Sequence, residues 1–113
     1  MGRGDRMGEP ARPPRALRAS LRLLSTAAGG RATPITNDYR PHWDAGAKWN
    51  GEPVLSDARV ILEDREELQP GEECVVRLEP LFPEFWVQVR VGATLTMHEG
   101  QRVLGHATVL SLD

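Results

Sequence analysis

From residue 16 onward the chain is a series of short stretches in which apolar and polar residues alternate, punctuated by glycine and proline. Leu17, Ala19, Leu21 and Leu23 alternate with Arg18, Ser20 and Arg22, the period of a strand. The same stretch, 16–24, also sets Leu17, Leu21 and Leu24 on one helical face, and leucine, alanine and arginine are good helix formers, so periodicity leaves helix and strand both open. Further on, Val60 and Leu62 share a face, as do Cys74, Val76 and Leu78, with Val75, Arg77 and Glu79 opposite. Phe85, Val87, Val89 and Val91 alternate with Trp86, Gln88 and Arg90, which predicts a strand over 85–91. Leu95 and Met97 alternate with Thr94, Thr96 and His98, and a last strand runs from about Arg102 to Leu110. Gly29-Gly30, Gln69-Pro70-Gly71-Glu72 and Glu99-Gly100-Gln101 read as turns, and Pro34 and Pro41 bracket an extended stretch. Residues 44–56, with Gly46, Gly51 and Pro53, read as a loop. Many short strands with glycine and proline turns and no convincing helix predict an all-β fold, a small antiparallel barrel or sandwich.

Length and charge refine this picture. The 113 residues suffice for one domain with its own core and not for two. Residues 1–15, rich in Gly, Pro and Arg, have little to bury and are predicted to be a disordered tail ahead of a domain over 16–113. Arg3-Gly4-Asp5 within it reads as a chance match to an adhesion tripeptide. Residues 1–43 hold 8 basic and 3 acidic side chains, a charge of +5; residues 44–113 hold 6 and 13, a charge of −7. A nucleic-acid partner would therefore prefer the first third of the chain, and the acidic remainder argues against broad RNA binding. Cys74 is the only cysteine, so no internal disulfide forms, which suits a reducing cytoplasm. An organelle transit peptide is the alternative reading of the arginine-rich start. No apolar run approaches the roughly 20 residues of a membrane span, so no membrane partner is expected.

The run Gly29-Gly30-Arg31-Ala32-Thr33-Pro34 … Tyr39-Arg40-Pro41-His42-Trp43 resembles the G-G-R-x-T-P…Y-R-P-x-(aromatic) segment of the C-terminal β-barrel of elongation factor Tu. Leu68-Gln69-Pro70-Gly71-Glu72 with Val75-Val76-Arg77-Leu78 and Pro83 resembles the family's M-P-G-D…V-x-L…P, and Leu95 to Gly105 resembles its last hairpin, F-A-I-R-E-G-G-R-T-V-G. The three blocks stand in the family's order and span about residues 16–112. The resemblance implies a six-stranded antiparallel Greek-key barrel in which residues 16–24 are the first strand. It implies a free-standing version of one domain of that factor: no G-x-x-x-x-G-K-[ST] loop occurs, so no GTPase activity is expected.

In that family the barrel touches the backbone of the tRNA T-stem, and the matching positions here are Arg31, His42, Glu99 and Gly100. It also docks on the GTPase domain and on elongation factor Ts, in the region of Tyr39-Arg40-Pro41. By resemblance Arg31 meets phosphate and Arg40 a partner; read from the residues alone, Tyr39 and Pro41 pack the strand entry and Arg40 pairs with a neighbouring carboxylate. The chain departs from the family at Ala32 (usually His), at His42 (Gln), and over Asp44–Gly51, which replaces T-T-D-V-T-G. Trp49, placed in the loop, is a candidate partner anchor or a lid over the barrel end. His42, His98 and His106 look scattered along the sequence, Cys74 reads as a strand residue, and the acidic residues from Glu63 to Glu73 lack the spacing of a calcium loop, so no catalytic residue, metal or cofactor is expected. The function expected is a non-catalytic module binding a protein of the translation machinery or aminoacyl-tRNA. The alternative is a structural, homo-oligomeric barrel that has lost that role.

Overall fold

The computed structural model describes residues 12–113. Most of the stretch assigned to a tail, including Arg3-Gly4-Asp5, lies outside the described residues; Pro14, near its end, is already buried. Eight strands follow: β1 (Leu17–Leu23), β2 (Ile35–Thr36), β3 (His42–Trp49), β4 (Glu52–Leu62), β5 (Glu67–Leu68), β6 (Glu73–Pro80), β7 (Thr94–Glu99) and β8 (Arg102–Leu112). Six of them close an antiparallel barrel in the order β1-β6-β4-β3-β7-β8, and β2 and β5 form a separate two-stranded sheet. Strands β3, β4 and β6 are successive neighbours, β7 returns to lie beside β3, and β1 lies beside β6. That arrangement is a Greek key.

Alternation decides the first strand. Leu17, Ala19, Leu21 and Leu23 are all buried while Arg18 and Arg22 are exposed, and β1 pairs with β6 on one side and β8 on the other. A helix would bury only part of this set; the barrel buries all four. Ala58, Val60 and Leu62 of β4, Val76 and Leu78 of β6, Leu95 and Met97 of β7, and Ala107 and Val109 of β8 complete the core around Trp43, whose Nε1–H donates to the Ala58 carbonyl at 3.2 Å. The buried faces of Ile35 and Leu68 bring the small β2–β5 sheet onto the same core.

Two sequence expectations are overturned. Residues 44–56 are not a loop but the outer half of the β3–β4 hairpin. Asn50 and Gly51 turn it, both with positive φ (52° and 81°), as a type I′ turn requires. The alternation fails there because β3 carries a bulge: Asp44 faces Leu55 and Lys48 faces Pro53, leaving three residues opposite one. Gly46 takes φ 93° inside it, and its N–H is held by Asp44 Oδ1 at 3.0 Å. Residues 85–91, in turn, are not a strand. Pro83–Trp86 form a single 3₁₀ turn with proline in its first turn, and the buried side chains are Trp86 and Val89, three apart rather than two. Phe85 and Val91 point outward instead. The 81–93 segment is tied to the barrel wall by Gln88, whose Nε2 donates to the carbonyls of Ala45 and Phe85, each at 2.7 Å.

The barrel has two unlike ends. One carries the 23–31 loop, the β2–β5 sheet, the 69–72 turn and the β7–β8 turn, and is called the Gly30 end. The other carries the β3–β4 hairpin tip, the 81–93 segment and residues 12–16 with 112–113, and is called the Asn50 end.

Candidate functional site

The Gly30 end is built from main-chain fixtures. Ser25 caps the 3₁₀ turn Thr26–Ala28, its Oγ accepting from Ala28 N–H at 3.1 Å, and Gly29 ends it at φ 96°. A Cβ at Gly30 would lie 2.3 Å from the Leu24 carbonyl oxygen, so only glycine fits where the chain doubles back. Arg102 of β8 donates to the Gly29 carbonyl at 2.9 Å and so joins this loop to the β7–β8 hairpin. Gly100, the first of the two residues turning that hairpin, has φ 61°, as a type II′ turn requires.

Between these fixtures lies Arg31. Its own carbonyl accepts from Thr26 Oγ1 at 2.6 Å, and its guanidinium donates to the Thr33 carbonyl and to Thr33 Oγ1, each at 3.1 Å. Nη1 donates to Tyr39 Oη at 3.2 Å and pairs with Glu99 Oε2, and the guanidinium carbon stands 4.9 Å from the centre of the Tyr39 ring. Tyr39 donates its own hydroxyl to the same Glu99 oxygen. Burial, and then the hydrogen bond to the Glu99 carboxylate, push the Tyr39 phenol well above its ordinary range. The result is a preorganised polar knot of Arg31, Tyr39 and Glu99, with Gly100 and Arg102 beside it. Tyr39 is the member that sequence reasoning places among packing residues; its hydroxyl partner is sixty residues away.

The other sequence candidates are distributed around this knot. His42 opens β3 opposite His98 of β7, the residue before Glu99, and its Nδ1 pairs with Asp57 Oδ1 of β4. The histidines are therefore less scattered than their sequence positions suggest. His42, His98 and His106 all lie on the outer wall of β3, β7 and β8, and His98 Nδ1 is buried without a hydrogen-bond partner. Even so, the described residues contain no group of three His, Cys, Asp or Glu side chains placed to hold a metal ion. Arg40 has no carboxylate within ion-pair distance among the described residues. It lines a shallow side-wall cavity of about 300 Å³ with Arg59, Glu79, Pro80 and Leu81, where Arg59 is held by Asp38 at 3.2 Å and by Glu79 at 3.0 Å. Pro41 is buried, as its packing role predicts.

Trp49 stands apart from all of these. It is the last residue of β3, not part of a loop, and at 72% exposure it covers nothing. The barrel is filled instead by Trp43 and Trp86. Cys74 is buried on β6, and burial pushes its thiol up. No family model matches the chain.

Proposed function

We propose that this chain is a non-catalytic binding module that docks a protein of the translation machinery through its Gly30 end, as a counterpart of the elongation factor Tu C-terminal barrel. The observation that carries the reading is convergence. Arg31 and Glu99, picked out from two segments some seventy residues apart, meet at one end of the barrel in a single hydrogen-bonded knot with Tyr39, and Gly100 turns the chain beside it. A rigid arrangement of an arginine, a tyrosine hydroxyl and a carboxylate, with little left to order on binding, suits recognition of a polar protein surface.

A protein partner is favoured over aminoacyl-tRNA for an electrostatic reason. The Arg31 guanidinium is already engaged by the Glu99 carboxylate, so a phosphate would have to displace that carboxylate and then sit beside it. Glu66, Glu67 and Glu72, exposed at the same end, add to the repulsion.

The test is affinity capture from lysate with the full chain as bait, with and without ribonuclease, and with Arg31→Ala and Glu99→Gln as paired baits. A translation protein recovered in stoichiometric amount, unaffected by ribonuclease and reduced by both substitutions, is the expected result. Recovery that vanishes with ribonuclease would support tRNA instead, and its affinity should then fall steeply with salt. Recovery of the bait alone would sink the reading and leave the oligomeric barrel.

A further inference from the structure

The described residues expose nine large apolar side chains, and six of them, Trp49, Leu81, Phe82, Phe85, Val91 and Leu112, belong to segments at the Asn50 end. The most prominent are Trp49 at the hairpin tip (72% exposed), Val91 (63%) and Phe82 (51%), with Phe85 in edge-to-face contact with Phe82 at a ring separation of 6.5 Å. Exposed apolar side chains scattered singly are ordinary, but aromatic rings gathered at one end of a molecule mark an interaction surface.

Charge follows the same division. Six of the twelve basic side chains among the described residues are ion-paired: Arg18 with Glu63, Arg22 with Glu73, Arg31 with Glu99, Arg59 with Asp38 and Glu79, Arg65 with Asp64, and Arg77 with Glu79 and Asp113. At the Asn50 end, Arg12, Arg15, Lys48 and Arg90 are exposed with no carboxylate in reach among the described residues, against the unpaired Glu52 and Glu84. At the Gly30 end the balance reverses, with Glu66, Glu67 and Glu72 exposed beside the single unpaired cation Arg102 among the described residues there. The barrel is thus apolar and cationic at one end and acidic at the other.

The shape of the apolar end narrows the occupant. Its side chains stand on separate projections: the β3–β4 hairpin tip, the 3₁₀ turn and the Arg90–Val91–Gly92 bend. Of these side chains only Leu81 lines the side-wall cavity beside Arg40. A protein ligand places its anchors in concavities, whereas loop tips bearing tryptophan and phenylalanine, flanked by arginine and lysine, match the interfacial layer of a bilayer. There the rings sit at headgroup depth and the cations meet lipid phosphates and anionic headgroups.

We propose that the Asn50 end is a peripheral docking face for anionic phospholipid membranes, with Trp49, Phe82, Phe85 and Val91 entering the interface and Arg12, Arg15, Lys48 and Arg90 meeting the headgroups. No segment crosses the bilayer in this arrangement; no helix among the described residues is long and apolar enough to do so. The face lies opposite the Arg31 knot and does not rest on the function proposed for it.

The fold supplies its own probe. Trp43 and Trp86 are fully buried, so of the chain's three tryptophans only Trp49 can change environment without unfolding. The full chain is mixed with vesicles of phosphatidylcholine, with or without phosphatidylserine, and tryptophan emission is read alongside co-sedimentation. A blue shift and sedimentation with the serine-containing vesicles, both weakened by salt, are expected. Trp49→Ser and Phe82→Ser should each weaken binding by about tenfold or more, because each removes a large apolar contact from an already exposed position. Lys48→Glu should weaken it as well, while Val103→Ser, at the other end, should not. Absence of any shift or sedimentation at low salt overturns the proposal. So does equal binding to neutral vesicles, a lipid-independent shift that grows with protein concentration, as a second copy would give, or a shift produced by an acidic amphipathic peptide and not by vesicles.

Discussion

Tyr39 is the only tyrosine in the chain, so its ionisation can be read directly by ultraviolet absorbance. An ordinary phenol titrates near pH 10; burial and the Glu99 carboxylate hold this one higher. The folded state therefore favours the neutral phenol. Its contribution to stability is fully present below about pH 10, where an unfolded tyrosine stays protonated, and is lost as pH rises beyond that toward the raised value. Titration of the native protein should give a tyrosinate midpoint above that of the chain in urea, and Glu99→Gln should bring the native midpoint down. An unshifted native midpoint would mean that the hydroxyl does not face Glu99. This residue also marks a limit of the sequence. Arg31, Glu99 and Gly100 stand out through the family resemblance, but a hydroxyl meeting a carboxylate sixty positions away leaves no trace in local pattern.

Among the elements, β1 is legible because both its faces obey one rule: every second side chain is buried against β6 and β8. The β3–β4 ribbon is not, because a bulge at Gly46 breaks the alternation on which the reading depends. Its remaining signal is the dipeptide Asn50-Gly51, which suits a type I′ turn and marks a hairpin even where periodicity fails. The 3₁₀ turn at Pro83–Trp86 hides for the opposite reason. Its residues do alternate, but tertiary packing buries Trp86 and Val89 and turns Phe85 outward. Gly51→Val tests the ribbon. A β-branched residue at φ 81° carries strain of roughly 1–3 kcal/mol, so the urea midpoint should fall by that equivalent with an unchanged slope. A midpoint equal to wild type would mean that the tip adopts another turn.

For the molecule as a whole, closure is what protects the interior. Cys74 lies on β6 at 7% exposure and its thiol is pushed up by burial, so a thiol reagent should modify it only during opening of the barrel. Labelling should accelerate in step with added urea and share its dependence with loss of buried-tryptophan emission; fast labelling in native buffer would place β6 at a loose seam. The seam that matters joins β1 to β8, where Leu17 is paired with Leu112 and Leu23 with Gly105. A carbonyl of β1 comes so near that a Cβ on Gly105 would lie 2.8 Å from it. During synthesis the first strand therefore leaves the ribosome with neither neighbour yet made: β6 follows some fifty residues later and β8 last of all. Until then its leucine face and both its hydrogen-bonding edges are open to any other nascent chain. The arginines at 18 and 22, spaced along that face's reverse side, are the charges that keep an unpaired strand from finding the wrong partner while it waits.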